Sequence, residues 1–357
     1  MSKLYAGDSP IVITGIAPVC RHAITIAELK KANAALQPGE NVPDTSDWFD
    51  PTRFLGTRGY KYWTQATRYI QAATGLALED AGLSSNPYGP DEIGVSFGTN
   101  FANANLIKEM DQIARKEGPE RLSPMIGPNF SINIPSSLVS IKYGFKAYNI
   151  TLTTAMVAGL EALLCAGNSL RTGRAKLVFA GALEDTPPQP TSELLGNEQG
   201  YGGACVFVLE TLNEAVKRGA RIYAQLGRGA IRFVNPDLAA VSEQSALVKG
   251  ILNEMVESIL PSLPKRIQLW PLSYPLLLNQ KINRYLEEVL TAKNIEVQTR
   301  YHIGANGAYA TVSAMLQMAM GLTEVNEGLV FATSPQGHMV ALALHALEGS
   351  PEEEANF

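Results

Sequence analysis

The sequence predicts a layered α/β protein, and three observations carry that expectation. Short runs rich in Val, Ile and Phe alternate with stretches of helical period through most of the chain. Several of these runs are apolar at consecutive positions, as strands buried on both faces are. The stretch 155–169 is helical in period but small and apolar all round, which suits a helix buried on most sides.

Taken in order, residues 11–15 (IVITG) read as a first buried strand. Residues 67–81 place apolar side chains three and four apart, a helix for which Gly82 supplies the C-terminal cap. Residues 92–97 form a strand, and residues 132–143 a helix entered through Pro135 and ended by Gly144. A strand at 148–153 leads into the small-residue helix 155–169, followed by core strands at 177–180 and 204–209. Residues 186–199 read as a Pro-rich polar loop. The second half repeats the theme more weakly. Helices are expected at 242–260, 279–291 and 307–320, and strands at 267–270, 295–298, 329–333 and 338–345. With no low-complexity linker, the chain reads as one unit of two similar halves, 1–215 and 216–357.

Composition excludes several function classes. At 357 residues, 46% hydrophobic and 18% charged, the chain is long enough for a sizeable core and too apolar for disorder. A net charge of −5 argues against a nucleic-acid surface, which needs a dense basic field. Cys20, Cys165 and Cys205 are too scattered for a disulfide framework or a zinc site. No apolar run reaches the roughly 18 residues of a membrane span, and residues 1–8 lack a signal-peptide layout. The expectation is a soluble cytoplasmic protein.

A series of motifs, each weak alone, is specific in its order. Phe49-Asp50-Pro51 with Leu55-Gly56 precedes Leu78-Glu79-Asp80-Ala81-Gly82-Leu83. Ile132-Asn133-Ile134-Pro135 precedes Gly144 and then Thr151…Thr154-Ala155…Gly159. Ala180-Gly181-Ala182-Leu183-Glu184, Gly203-Ala204-Cys205-Val206, Lys217-Arg218-Gly219-Ala220-Arg221 and Gly304-Ala305-Asn306-Gly307 follow. From about residue 10 to residue 345, this order resembles the β-ketoacyl synthase family, with a poorer match over 232–301. The resemblance implies the thiolase-like fold, a duplicated five-layer α-β-α-β-α arrangement.

Active members of that family use a cysteine at a buried helix N-terminus, where the dipole favours the thiolate, and two histidines. The position matching the cysteine is Met156, within Thr154-Ala155-Met156-Val157-Ala158-Gly159. A thioether has no proton to lose and cannot hold an acyl group as a thioester. Ser273 and Tyr301 occupy the positions that match the histidines, and His302 is one step late, which on an extended segment faces the opposite way. The family's flexible Gly-Phe-Gly-Gly is here Ser334-Pro335-Gln336-Gly337.

A member with core motifs but without this set resembles the chain-length-factor subunit of a ketosynthase heterodimer, and is similar to the type found in aryl polyene biosynthesis. The resemblance implies two partners, an active ketosynthase subunit and acyl carrier protein, in fatty-acid-type or polyketide elongation without metal or dissociable cofactor. Phe101, Met125, Ile126, Phe130 and Ile134 fall where the family's interface lies and are candidate walls of the acyl tunnel. Strand 148–153 would pair across the dimer axis, and Arg171, Arg174 and Lys176 are candidates for docking the acidic carrier protein.

Alternatives stay open at this point. One is a homodimeric ketosynthase-fold protein that binds an acyl group or carrier protein; another is an altered-centre acyltransferase using Tyr301 and His302. Gly94-Val95-Ser96-Phe97-Gly98 also satisfies the G-x-S-x-G pattern of a serine hydrolase. His22, His338 and His345 read as surface or satisfied core residues, and the cysteines as small hydrophobes.

Overall fold

In a computed structural model, the residues described are 9–21, 23–28, 48–85, 87–186, 202–235, 245–272, 277–299, 326–334 and 336–346. The first half runs β1 (Ile11–Cys20), α1 (Thr52–Leu55), α2 (Gln65–Asp80), β2 (Ile93–Gly98), α3 (Ala104–Lys116), α4 (Ile134–Tyr143), β3 (Tyr148–Leu152), α5 (Ala158–Arg171), β4 (Leu177–Glu184) and β5 (Gly203–Thr211). The second runs α6 (Leu212–Lys217), β6 (Ala224–Phe233), α7 (Ser245–Ile259), β7 (Arg266–Leu272), α8 (Leu277–Ala292), β8 (Glu296–Thr299), β9 (Glu327–Thr333) and β10 (His338–His345).

The strands lie in the order β3-β2-β4-β5-β1-β6-β10-β9-β7-β8. Counted within its own half, each set of five is ordered third, second, fourth, fifth, first, and the halves meet first strand to first strand. Strand directions repeat as well. β2 is parallel to β3 and β4, as β7 is to β8 and β9, and β5 and β10 run antiparallel to their neighbours. The junction is a short antiparallel ladder, Ile11 to Ile13 of β1 against Leu226 to Ala224 of β6. The two expected sheets are therefore hydrogen-bonded into one. The expected boundary at 215/216 falls inside α6, between the two five-strand sets.

Side-chain alternation builds the layers. In β9, Leu329 and Phe331 face α7 and α8, whereas Val330 and Ala332 face the opposite side, where α5 lies. In β4, Leu177, Phe179 and Leu183 join the cluster under α2, and Val178, Ala180 and Ala182 join the one around α5. Helix α5 is thus the middle layer, with core contacts to both halves, and α2 with α4 and α7 with α8 close the outside. This is the five-layer α-β-α-β-α arrangement. It explains the apolar strands, buried on both faces, and the apolar helix between them.

Most elements match the sequence expectation within a few residues. Gly82 and Gly144 take the left-handed conformation (φ 66° and 72°) that ends α2 and α4, and Pro135 opens α4. Strand β1 is longer than expected because a bulge between Ile13 and Gly15 lets it continue, moving the inward face from odd to even positions. A Cβ on Gly15 would sit 2.7 Å from that of Ala81, so only glycine admits the end of α2 here. Four elements, α1, α3, α6 and β6, were not expected from sequence. The Pro-rich loop beyond Thr186 and the helix at 307–320 lie outside the described residues. No described helix is long and apolar enough to cross a membrane.

Candidate functional site

The candidate site sits where β3 hands the chain to the central helix. Between them, Ala155–Val157 forms a single 3-10 turn, with Ala155 at φ 45°, a left-handed backbone on a residue with a Cβ. The turn packs against β9 and β10, so both halves border it. β2 ends here in Gly98, whose Cβ would fall 2.3 Å from the Ala158 carbonyl oxygen. The glycine lets the strand end abut the start of α5.

Met156 is 2% exposed, packed against Phe101, with its sulfur 3.6 Å from Asn100 Nδ2. The loop carrying Asn100 and Phe101 is held by one buried carboxylate. Glu184 Oε1 accepts from the Asn100 amide and Oε2 from the Phe101 amide, both at 2.6 Å, and Oε2 also from Thr99 Oγ1 at 3.2 Å. The family-like acid at the end of β4 is therefore a positioning group for the wall of the site. The loop is tied on to the next segment by Asn103 Nδ2, which donates to the Phe130 carbonyl.

Across the turn, Ser334 to His338 closes tightly: the Gly337 amide donates to the Ser334 carbonyl at 3.0 Å, with Gly337 at φ 97°. One glycine of the expected flexible segment thus keeps a backbone that favours glycine. Thr333, at the end of β9, is buried with no hydrogen-bond partner on its hydroxyl. Neither Asn100 nor Thr333 was singled out by sequence; their only signal is position next to Gly98 and Ser334.

Of the other anticipated residues, Ser273, Tyr301 and His302 lie outside the described residues, as does His22. Phe101, Ile126 and Ile134 are half-buried. Met125 and Phe130 are 58% and 55% exposed on the surface of this chain. The three cations anticipated as one patch are dispersed. Lys176 pairs with Glu92 at 2.6 Å, Arg174 lies 4.8 Å over the Tyr148 ring, and Arg171 lines a separate cleft.

Ser96 is fully buried mid-strand, donating to the Ala162 carbonyl at 2.8 Å, so it is no nucleophile elbow and the hydrolase alternative falls. His345 pairs with Glu327, as a satisfied residue does, and His338 meets the Phe233 ring edge-on. Cys20 and Cys205 are buried and Cys165 is half-buried. Among the described residues no group of His, Cys, Asp and Glu could hold a metal ion.

Residues 30–195 match the family "Beta-ketoacyl synthase, N-terminal domain". The chain is 28% identical over 236 residues to 3-oxoacyl-[acyl-carrier-protein] synthase 2 of Synechocystis sp., covering 59% of this chain and 54% of that protein. It is 26% identical over 226 residues to the protein of the same name in Coxiella burnetii, covering 56% and 54%. The alignments thus span about half the length of these relatives.

Two solved structures superpose at TM-score 0.80, each over 95% of this chain and 99% of the other. One is a type II polyketide synthase acyl carrier protein in complex with its ketosynthase bound to the hexaketide, at 19% identity. The other is the ishigamide ketosynthase/chain length factor, at 16%. The matched stretch, somewhat under half of the chain, is similar to a β-ketoacyl synthase N-terminal domain, and the fold around it is the thiolase-like fold of ketosynthases.

Proposed function

We propose that this chain is a non-catalytic, chain-length-factor-like subunit of the aryl polyene type, which pairs with an active β-ketoacyl-acyl-carrier-protein synthase. The observation that carries the proposal is Met156. The turn, the buried helix start and the carboxylate-held loop converge on one side chain, and that side chain is a thioether. It can neither become a thiolate nor hold an acyl thioester. In the pair, the partner's cysteine carries the growing chain through decarboxylative Claisen condensation on carrier protein, and this subunit supplies the tunnel wall that limits its length.

Two further features support pairing. β3 ends the sheet, with no strand on its outer edge among the described residues. Ile107, Met125, Phe130 and Ile141 are large apolar side chains exposed in the same part of the sequence. The test is co-expression with a ketosynthase from the same source, tagged on one subunit, followed by malonyl-loaded carrier protein. Equimolar co-purification, with elongation lost only when the partner's cysteine is mutated, is the expected result. A stable homodimer that ignores the ketosynthase, or acyl turnover by this chain alone, would overturn the proposal.

A further inference from the structure

At the opposite end of α5 from Met156, the described residues enclose a cleft of about 840 Å³, formed by the last turns of α5, strand β6 and the end of α7. Met156 and Arg171 are fifteen positions apart, so the cleft lies roughly 20 Å from the candidate site at about 1.5 Å per helical residue. Its charged groups are Arg171, Arg228 and Arg232, with Glu327 and His345 at one side. Glu327 is engaged by His345.

The three arginines share one cleft without a carboxylate of their own among the described residues. Arg115, Arg218, Arg221, Arg266 and Arg284 each pair with a carboxylate, whereas none of the cleft arginines does so among the described residues. Among the described residues Arg171 donates to Asn168 Oδ1 at 3.3 Å, and Arg232 to the carbonyl of its neighbour Ile231. Arg171 is half-buried, and both that burial and the nearby Arg228 charge disfavour its cationic form. The fold therefore sets the Arg228 charge beside a half-buried Arg171, an arrangement that an anion relieves. β6 adds backbone to the wall, because β1 pairs only with its residues 224–226 and leaves that edge of 227–233 without a strand among the described residues.

We propose that this cleft binds a small phosphate-bearing ligand. Guanidinium forks match phosphate oxygens two at a time, and three of them suit a ligand with more than one negative charge. The C-terminal dipole of α5 opposes an anion with only about half a unit charge, well below the sum of the arginines. The cleft volume is that of a small-molecule site, so the anionic group occupies only part of it and an organic body the rest.

The test is isothermal titration of the purified chain with inorganic pyrophosphate. Saturable one-to-one binding is expected, weakened about tenfold or more by Arg171→Gln and by Arg228→Gln. Arg174→Gln, whose side chain lies over Tyr148 instead, should bind as the parent does. Because Arg228 is exposed, its variant keeps the fold, which an unchanged melting temperature confirms and which makes its result decisive even where Arg171→Gln unfolds. No saturable heat at millimolar pyrophosphate, or equal affinity in the Arg228 and Arg174 variants, would overturn the proposal.

Discussion

Ala155 adopts φ 45° beside a methionine that has no nucleophile to present. The left-handed region costs an L-residue roughly 1–2 kcal/mol, so the turn is held by what surrounds it: β2 ending in Gly98, and β9 and β10 packed against it. Ala155→Gly should therefore raise stability by up to about 1 kcal/mol in urea unfolding, while Ala155→Val should lower it by more than that. Glu184 is the second residue on which the site depends. Glu184→Gln would turn an amide NH2 towards backbone N–H donors that now meet a carboxylate. The expected loss is about 2 kcal/mol by the same measurement, with faster hydrogen exchange at Asn100 and Phe101.

At the scale of elements, a buried ion pair ties the end of α6 back to the first half. Glu210, fully buried in β5, accepts from Arg218 Nη2 at 2.6 Å, from Tyr88 at 2.8 Å and from Thr14 at 2.5 Å, while Arg218 Nη1 reaches the Ala81 carbonyl at the end of α2. Glu210→Ala would strand the Arg218 cation, and a loss of about 3–5 kcal/mol in denaturant unfolding is expected.

Tyr143 links α4 to α2 through Gln71, and burial first, then Glu79, pushes its phenol up to about 12. Its folded-state value is above the unfolded value of about 10, so its contribution is complete below pH 10 and lost as pH rises towards 12. Denaturant unfolding at pH 8 and pH 11.5 should show that fall, and Tyr143→Phe should reduce it.

These elements were unequally legible. Apolar runs bounded by Gly and Pro gave β4, β5, β9 and β10 away, because strands buried on both faces must be apolar throughout. β6 was missed because Gly227-Arg228-Gly229 breaks its pattern where the register shifts against β10. Met156 is singled out by motif order alone, and the structure adds its burial against Phe101. The arginine cleft was not legible, because its members are brought together by the pairing of β6 with β10 and no sequence spacing records it.

At the scale of the molecule, the sheet is capped at one end by β3 and flanked by apolar side chains that water does not favour. Ile141 is 76% exposed on α4, and Phe130 lies on the segment that Asn103 ties to the Met156 loop. In the proposed pair the two residues have different tasks, and substitution separates them. Ile141→Lys removes apolar contact area and places a charge in its stead. On a lone chain that change should leave stability within about 0.5 kcal/mol, since the side chain touches little there. In the pair it should weaken co-purification with the ketosynthase strongly, because a desolvated lysine has no carboxylate to meet. Phe130→Ala should leave pairing nearly intact and lengthen the product, because a bulky stop becomes a gap that further methylenes fill. Pairing is read from stoichiometry after tag purification, and length from mass spectrometry of the released acyl chains. Unchanged lengths for both Phe130→Ala and Met125→Ala, with the pair intact, would remove these residues from the tunnel wall. Undiminished co-purification of Ile141→Lys would place the partner on another face.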